Sequence, residues 1–481
     1  MNNKSGLSVW QLTMMALGTV IGGSFFIGSS VVIHAVGPGI LLSFAIGGLL
    51  VYFILFALSE MTVANPDSGS FRTFAARIFG PGTGYVVGWV YWTGMVLGMS
   101  SEATAAAILL HEWTPFPSIA VMGVIIIIGI TGFNLLGAEK LSRLESGLAA
   151  VKIFAIVSFV LIAVLLIIGL FPGTPAVGTS TLRTEPWLPD GFKGIAGGML
   201  IVMFSYAGFE ILGLAAAEAR DSQTTVPKAI RQTVLTLVGL YIATIALLLF
   251  LIPTAQISEN TSPIVSALNR YGINWAGTAI RFVLITAILS TMLAAMFGLG
   301  RVMRSLADEG YTPGWLKDKR EIPYRGILAS GLGMLAALGL GLLFPNAYFF
   351  LISSGGFAML FIYAVIMATH YFFRKKNGCP PNGKCQVWGY PYTTIFTFLA
   401  LVFAIVSMPF VKGQSAGLIA GSCLLLFYIV SYFAMRFYQR KIKPTVFKSS
   451  PPKKKQTTSL STEFSRELSH QESEHDWEDR F

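Results

Sequence analysis

Twelve apolar runs, each long enough to cross a bilayer, divide the chain at approximately 8 to 33, 39 to 59, 84 to 110, 117 to 137, 146 to 170, 193 to 217, 232 to 254, 276 to 300, 326 to 344, 347 to 373, 392 to 410 and 414 to 437. A helix suits such runs, because it pairs every backbone N–H and C=O within the segment, where hydrocarbon supplies no partner. The 481 residues are 54% hydrophobic and only 12% charged, which excludes an ordinary soluble domain. The expectation is an all-α integral membrane protein of about twelve transmembrane helices. The first run is too long for the h-region of a leader and no small-residue cleavage site follows it, so the first helix is expected to stay in the product.

The net charge of +11 is not gathered into a nucleic-acid-binding stripe; the basic residues flank the apolar runs. Loops after the second, fourth, sixth, eighth and tenth spans carry Arg72, Arg77, Lys140, Arg143, Arg220, Lys228, Arg231, Lys317, Lys319, Arg320, Arg325, Arg374, Lys375 and Lys376. The alternate loops hold chiefly Arg183, Lys193, Arg270 and Lys412. By the positive-inside rule both termini are cytoplasmic, in a multi-pass protein of the cell membrane. The transmembrane domain is expected over 1–437. The polar tail 438–481, basic in its first half and acidic in its second, is expected to be disordered and cytoplasmic. Cys379, Cys385 and Cys423 provide no disulfide framework, and without His or acidic partners they do not suggest a metal site; no cofactor is implied.

Two spans carry a weak centre. "GTVIGGSFFIG" (18–28) puts Gly22, Gly23 and Ser24 in the middle of the first run, and "GGMLIVMFSYAGFEILG" (197–213) sets Ser205, Ala207 and Gly208 around Tyr206 in the sixth. These spans are each the first of five and run in opposite directions, as an inverted five-plus-five repeat requires. Unwound backbone frees polar groups that a polar ligand can satisfy. The new helix start after Gly22 would offer N–H groups and a positive dipole end to a carboxylate, while carbonyls of Val20, Ile21, Phe204 and Ser205 could accept from an ammonium. The alternative is that the glycines only permit close helix packing, which better explains Gly84, Gly88, Gly94 and Gly98 in the third span.

Three longer segments carry a family resemblance. "LSEMTVANPDSGSFRTFAARIFGPGTGYVVGWVYW" (58–92), "FSYAGFEILGLAAAEARDSQTTVPKAI" (204–230) and "GRVMRSLADEGYTP" (300–313) resemble signatures of the amino acid permeases of the amino acid, polyamine and organocation superfamily, in its bacterial amino acid transporter branch. The resemblance implies a leucine-transporter-like fold of ten core and two peripheral helices, alternating access, and uptake of an amino acid, commonly with protons. Where the family usually has Gly-Thr-Gly or Gly-Ser-Gly in the first break, this chain has Gly22, Gly23, Ser24, which adds a hydroxyl near a bound carboxylate.

Ionisable groups inside a membrane are candidates for function. Lys152, seven residues after Glu145 and roughly 10 Å deeper at helical rise, looks like the family's lysine replacement for a sodium site; it could instead snorkel to the cytoplasmic interface. Glu102 in the third span and Glu210 after the second break are the candidate proton-handling carboxylates, or fixed hydrogen-bonding partners. Glu60 and Glu218 lie near cytoplasmic ends, where a solvated or gating role is expected. Phe204 and Phe209 could gate the substrate or simply pack. Analogy with the family puts Ser290, Ser353 and Ser354 near the pocket, and Met292 to Met296 would give it apolar walls.

The expected activity is proton-coupled import of a neutral amino acid, with the substrate and a proton as partners and the bilayer as surroundings; nothing fixes the oligomeric state. The alternative on the same fold is a permease or exchanger for lysine or an amine such as γ-aminobutyrate, with Glu102 or Glu210 as counter-charge. An enzyme is not expected, since there is no HExxH, no Ser/His/Asp set and only 5 His.

Overall fold

The structure, a computed structural model, describes residues 8–442 except 65–69, 137, 172–173, 175, 179–184, 190, 211, 214–218, 220, 258–261, 319–322, 345, 380–384 and 411–413, and omits side chains at 35, 138–146, 222, 274, 276, 297 and 439–442. The described residues are mostly helical in the apolar runs, with breaks at 21–22 and 206–210. Nine helices among them are long and apolar enough to cross a membrane, and a tenth span is the pair Val9–Val20 and Gly23–His34, bent by 54°. Where the sequence predicts spans over 117–137 and 193–217, the described helices are shorter, Ile119–Asn134 and Gly191–Ser205. The tail from 443, expected to be disordered, lies outside the described residues.

In chain order the helices used below are α1 (Val9–Val20), α2 (Gly23–Phe26), α3 (Gly28–Val36), α4 (Ile40–Ala64), α5 (Ser70–Phe79), α6 (Pro81–His111), α7 (Ile119–Asn134), α8 (Ala138–Ile168), α9 (Gly191–Ser205), α10 (Ser222–Leu251), α11 (Pro263–Arg270), α12 (Asn274–Asp308), α13 (Tyr324–Gly341), α14 (Ala347–Asn377), α15 (Tyr392–Ser407) and α16 (Ser415–Ile442). Their ends are set locally. Ser8 and Gln11 form a capping box at the start of α1, Asn346 accepts the Phe349 N–H to open α14, and Gly378 at φ +68° closes it. The short helices α5 and α11 contain too few apolar residues in a row to be read as spans.

α6, α12 and α14 form the centre. A Cβ on Gly94 of α6 would stand 2.5 Å from the Ala358 Cβ of α14, and one on Gly98 would stand 2.7 Å from the Phe204 ring, so both glycines permit close packing. α6 buries 83% of its most apolar window and α16 only 17%, which puts α16 at the lipid-facing periphery. Cys379 and Cys385, expected to provide no disulfide framework, are joined by a disulfide beyond the end of α14. Sequence spacing does not reveal the pairing; the two Cα atoms lie 5.3 Å apart, within reach of a disulfide.

Candidate functional site

The first break ends one helix and starts another after two residues. α1 finishes with Ile21 N–H donating to Leu17, Gly22 is extended at φ −139° and ψ −168°, and α2 begins at Gly23 with its first N–H groups lacking partners in their own helix. The carboxylate of Glu102 from α6 takes two of them, with Oε2 at 2.5 Å from the Gly23 nitrogen and Oε1 at 2.9 Å from the Ser24 nitrogen. A Cβ on Gly22 would lie 3.0 Å from Oε2 and one on Gly23 only 2.8 Å, so two residues without side chains make room for this approach. Glu102 is buried, and its carboxyl sits at the positive end of α2.

Carbonyls on the other side of the break are also engaged. The Lys152 Nζ of α8 donates to the Gly18 oxygen at 2.6 Å and to the Thr291 Oγ1 of α12 at 2.8 Å, while Thr291 donates to the Ile21 oxygen at 2.9 Å. Lys152 is 1% exposed, so its ammonium points into the bundle and does not snorkel. It joins α8 to α1 and α12 through the Gly18 carbonyl and the Thr291 hydroxyl, and Thr291 in turn satisfies the Ile21 carbonyl. Thr291 was not among the expected site residues. Its neighbour Ser290 was, and Ser290 Oγ is buried without a hydrogen-bond partner.

The second break lies against the first. α9 ends at Ser205 and the chain turns through 206–210, with Gly208 at φ +104°, a backbone state that favours glycine. A Cβ there would meet the Thr19 carbonyl at 3.0 Å, and the Thr19 hydroxyl donates to the Gly208 oxygen at 3.4 Å. Ser205 Oγ donates to the Ser24 oxygen at 2.9 Å. The Phe204 carbonyl accepts from Ala207 N–H, and the Ser205 carbonyl from the Tyr241 hydroxyl at 3.3 Å. Thus Thr19 and Ser24 meet Gly208 and Ser205 across the two breaks, with Val20 buried at the end of α1.

Glu210 closes the turn. Its Oε2 accepts from the Gly208 N–H at 3.0 Å and from the Tyr363 hydroxyl of α14 at 3.1 Å, and its Oε1 from the Tyr91 hydroxyl of α6 at 3.2 Å. Phe209 stacks on Tyr363 with ring centres 4.8 Å apart. Phe204 faces α6 at Gly98. An aromatic cluster absent from the sequence reading borders the break: Phe25 lies 3.7 Å from Tyr241 in parallel stacking, and Phe44 meets both edge-on with Tyr206 beside them. These residues come from α2, α4, the second break and α10, and no local motif connects them.

Other expected residues lie elsewhere. Ser353 and Ser354 face α16, where a Cβ on Gly417 would meet the Ser353 Cβ at 2.6 Å, and Ser354 donates within its own helix to Phe350. Met292 and Met296 are fully buried on α12. Glu60 is buried, not solvated, and accepts from His370, Gln386 and Val387. Glu218 lies outside the described residues.

The chain matches the family model described as amino acid permease over residues 11–448. It is 31% identical over 445 residues to a γ-aminobutyric acid permease of Bacillus subtilis (strain 168), covering 91% of this chain and 94% of the relative. A γ-aminobutyric acid permease of Escherichia coli (strain K12) is 31% identical over 427 residues, covering 88% and 92%. The aromatic amino acid transport protein AroP of Salmonella typhimurium (strain SL1344) is 30% identical over 445 residues, covering 92% and 97%. A multi-pass, all-helical chain whose similarity to these transporters runs almost end to end belongs to the amino acid permease family.

Proposed function

We propose that the protein imports a neutral amino acid together with a proton by alternating access, with both termini in the cytoplasm. The observation that carries this reading is the Glu102 carboxylate on the Gly23 and Ser24 N–H groups. A substrate carboxylate has the same shape and charge and would take the same two donors. Two carboxylates cannot share them, so substrate entry displaces Glu102. Displaced from its donors into a water-poor bundle, Glu102 is stabilised by accepting a proton. When the substrate leaves, Glu102 returns its proton and caps α2 again. One proton then accompanies each substrate.

The ammonium of the substrate would turn toward the carbonyl side of the breaks, at Val20, Ile21, Phe204 and Ser205, with Ala207, Gly208 and Phe209 lining the turn. Lys152 and Thr291 hold the end of α1 against α8 and α12 in the place where an ion could otherwise brace the unwound segment. The charge of Lys152 supports proton over sodium coupling. Alternating basic loops support the orientation.

Relatives that carry γ-aminobutyrate and aromatic amino acids support a substrate with one carboxylate and one amine. Glu102 and Glu210 already hold hydrogen-bond donors of the protein itself, which favours a zwitterion over a cation seeking a free counter-charge.

The test is uptake of the twenty amino acids and γ-aminobutyrate into proteoliposomes under an imposed proton or sodium gradient. Accumulation of neutral amino acids driven by protons alone is the expected result. Uptake that survives a proton ionophore but needs sodium, or that only cationic substrates support, would overturn it.

A further inference from the structure

We propose that His370 of α14 is a second proton-carrying group of the transporter, in its cytoplasmic half, and that it works through the hydroxyl of Thr394. This rests on the proton-coupled reading above. The imidazole is fully buried between three elements. Its Nε2 lies 2.8 Å from Glu60 Oε2 of α4, and its Nδ1 lies 3.3 Å from Thr394 Oγ1 of α15.

Two features separate this arrangement from a packing clasp. Glu60 has other donors besides the imidazole, because Oε1 accepts the Gln386 N–H at 2.5 Å and the Val387 N–H at 2.7 Å, with Arg374 Nη1 at 3.5 Å. Also, the partner of Nδ1 is a hydroxyl, which can donate or accept. With a neutral ring, Nε2–H donates to Glu60 and Nδ1 accepts from Thr394. With a charged ring, Nε2–H still donates to Glu60 and Nδ1–H donates to the Thr394 oxygen. The ring therefore exchanges a proton at Nδ1 without losing either hydrogen bond. When the cytoplasmic side opens to water, the Thr394 hydroxyl, buried in this structure, passes its hydrogen to Nδ1 while its oxygen takes one from hydronium, leaving water, and the reverse hands the proton back to water on the cytoplasmic side.

The same helix connects this site to the substrate cradle. Tyr363, hydrogen-bonded to Glu210 at the second break, precedes His370 by seven residues, which is two turns and about 10 Å along one face of α14. The charged and titratable groups facing the ring are Glu60 from α4, Arg374 one turn further along α14, and Tyr390, whose ring meets the imidazole edge-on at 6.1 Å. Tyr91 of α6 and Glu210 stand two turns deeper, at the Tyr363 level. On the α5 side, Arg72 is committed to Glu309 and Ser305.

The test compares wild-type protein, His370→Gln and Thr394→Val in proteoliposomes, reading proton-driven accumulation and substrate-for-substrate counterflow separately. Gln at 370 keeps a donor for Glu60 but cannot titrate, and Val at 394 leaves the Glu60 clasp intact. Both variants should lose about tenfold or more of proton-driven accumulation while counterflow stays within about twofold of wild type. Accumulation unchanged in both variants overturns the proposal, and so does an equal loss of accumulation and counterflow, which marks a structural clasp. If wild-type protein itself ignores the proton gradient, it is the proton-coupled reading that fails.

Discussion

The carboxylate of Glu102 sits 2.5 Å from the backbone nitrogen of Gly23, 79 residues away in the chain, and occupies the N–H group to which we propose that a bound amino acid's carboxylate binds. If the two compete, removing the charge from position 102 should separate transport from coupling. Glu102→Gln should still exchange substrate across the membrane but lose concentrative uptake by about 100-fold, the scale of a lost proton-transfer group. The measurement is accumulation against counterflow in proteoliposomes; full proton-driven accumulation by this variant would remove Glu102 from the mechanism.

Thr291→Val keeps the volume of the side chain but leaves the Ile21 carbonyl without its Thr291 donor and removes one of the acceptors of Lys152 Nζ. The loss should lower stability by about 1–3 kcal/mol, the penalty of a buried polar group left unpaired. Thermal unfolding in detergent checks this. Lys152→Ala should lose accumulation as well as stability, and unchanged accumulation would show that the ammonium is not needed for coupling.

Gly208→Ala tests the crossing of the breaks. An alanine there adopts φ +104° with strain, and its methyl meets the Thr19 carbonyl at 3.0 Å. A destabilisation of about 1–3 kcal/mol is expected from the backbone alone. Gly298→Ala, at a glycine whose added methyl would meet nothing within 4 Å, is the control and should be close to neutral in the same thermal assay.

Ser24→Gly restores the residue more usual in the family at this position. The backbone N–H to Glu102 and the carbonyl that accepts from Ser205 are kept, so transport should persist. What should change is the ranking of substrates, because a hydroxyl beside the carboxylate site is gone. Competition of labelled substrate uptake by a panel of amino acids reads the change; an identical ranking would show that Ser24 does not select.

Much of this protein can be read from composition and spacing. Uninterrupted apolar runs must become helices where water is absent, and glycines in mid-span mark where such a helix opens, so the broken spans and the membrane fold follow from one dimension. Lys152, Glu102 and Glu210 stand out because charge inside hydrocarbon needs a partner. Their partners do not stand out. Ser290 and Thr291 are adjacent in the chain, yet one step around a helix is about 100°, and only Thr291 reaches Ile21. Ser353 and Ser354 looked equally suited to the pocket and face α16 instead.

The same division holds for charge. Position in a span marks Glu102 as buried, but which donors it finds depends on how α6 crosses the start of α2, and on two glycines that admit it to 2.5 Å. Glu60 and His370 are separated by 310 residues and meet only because α4 and α14 pack together. Local sequence determines where backbone is left unpaired, since that depends on propensities a few residues long. Tertiary packing decides what pairs with it, since side chains from helices far apart in the chain converge there by the angles at which those helices cross.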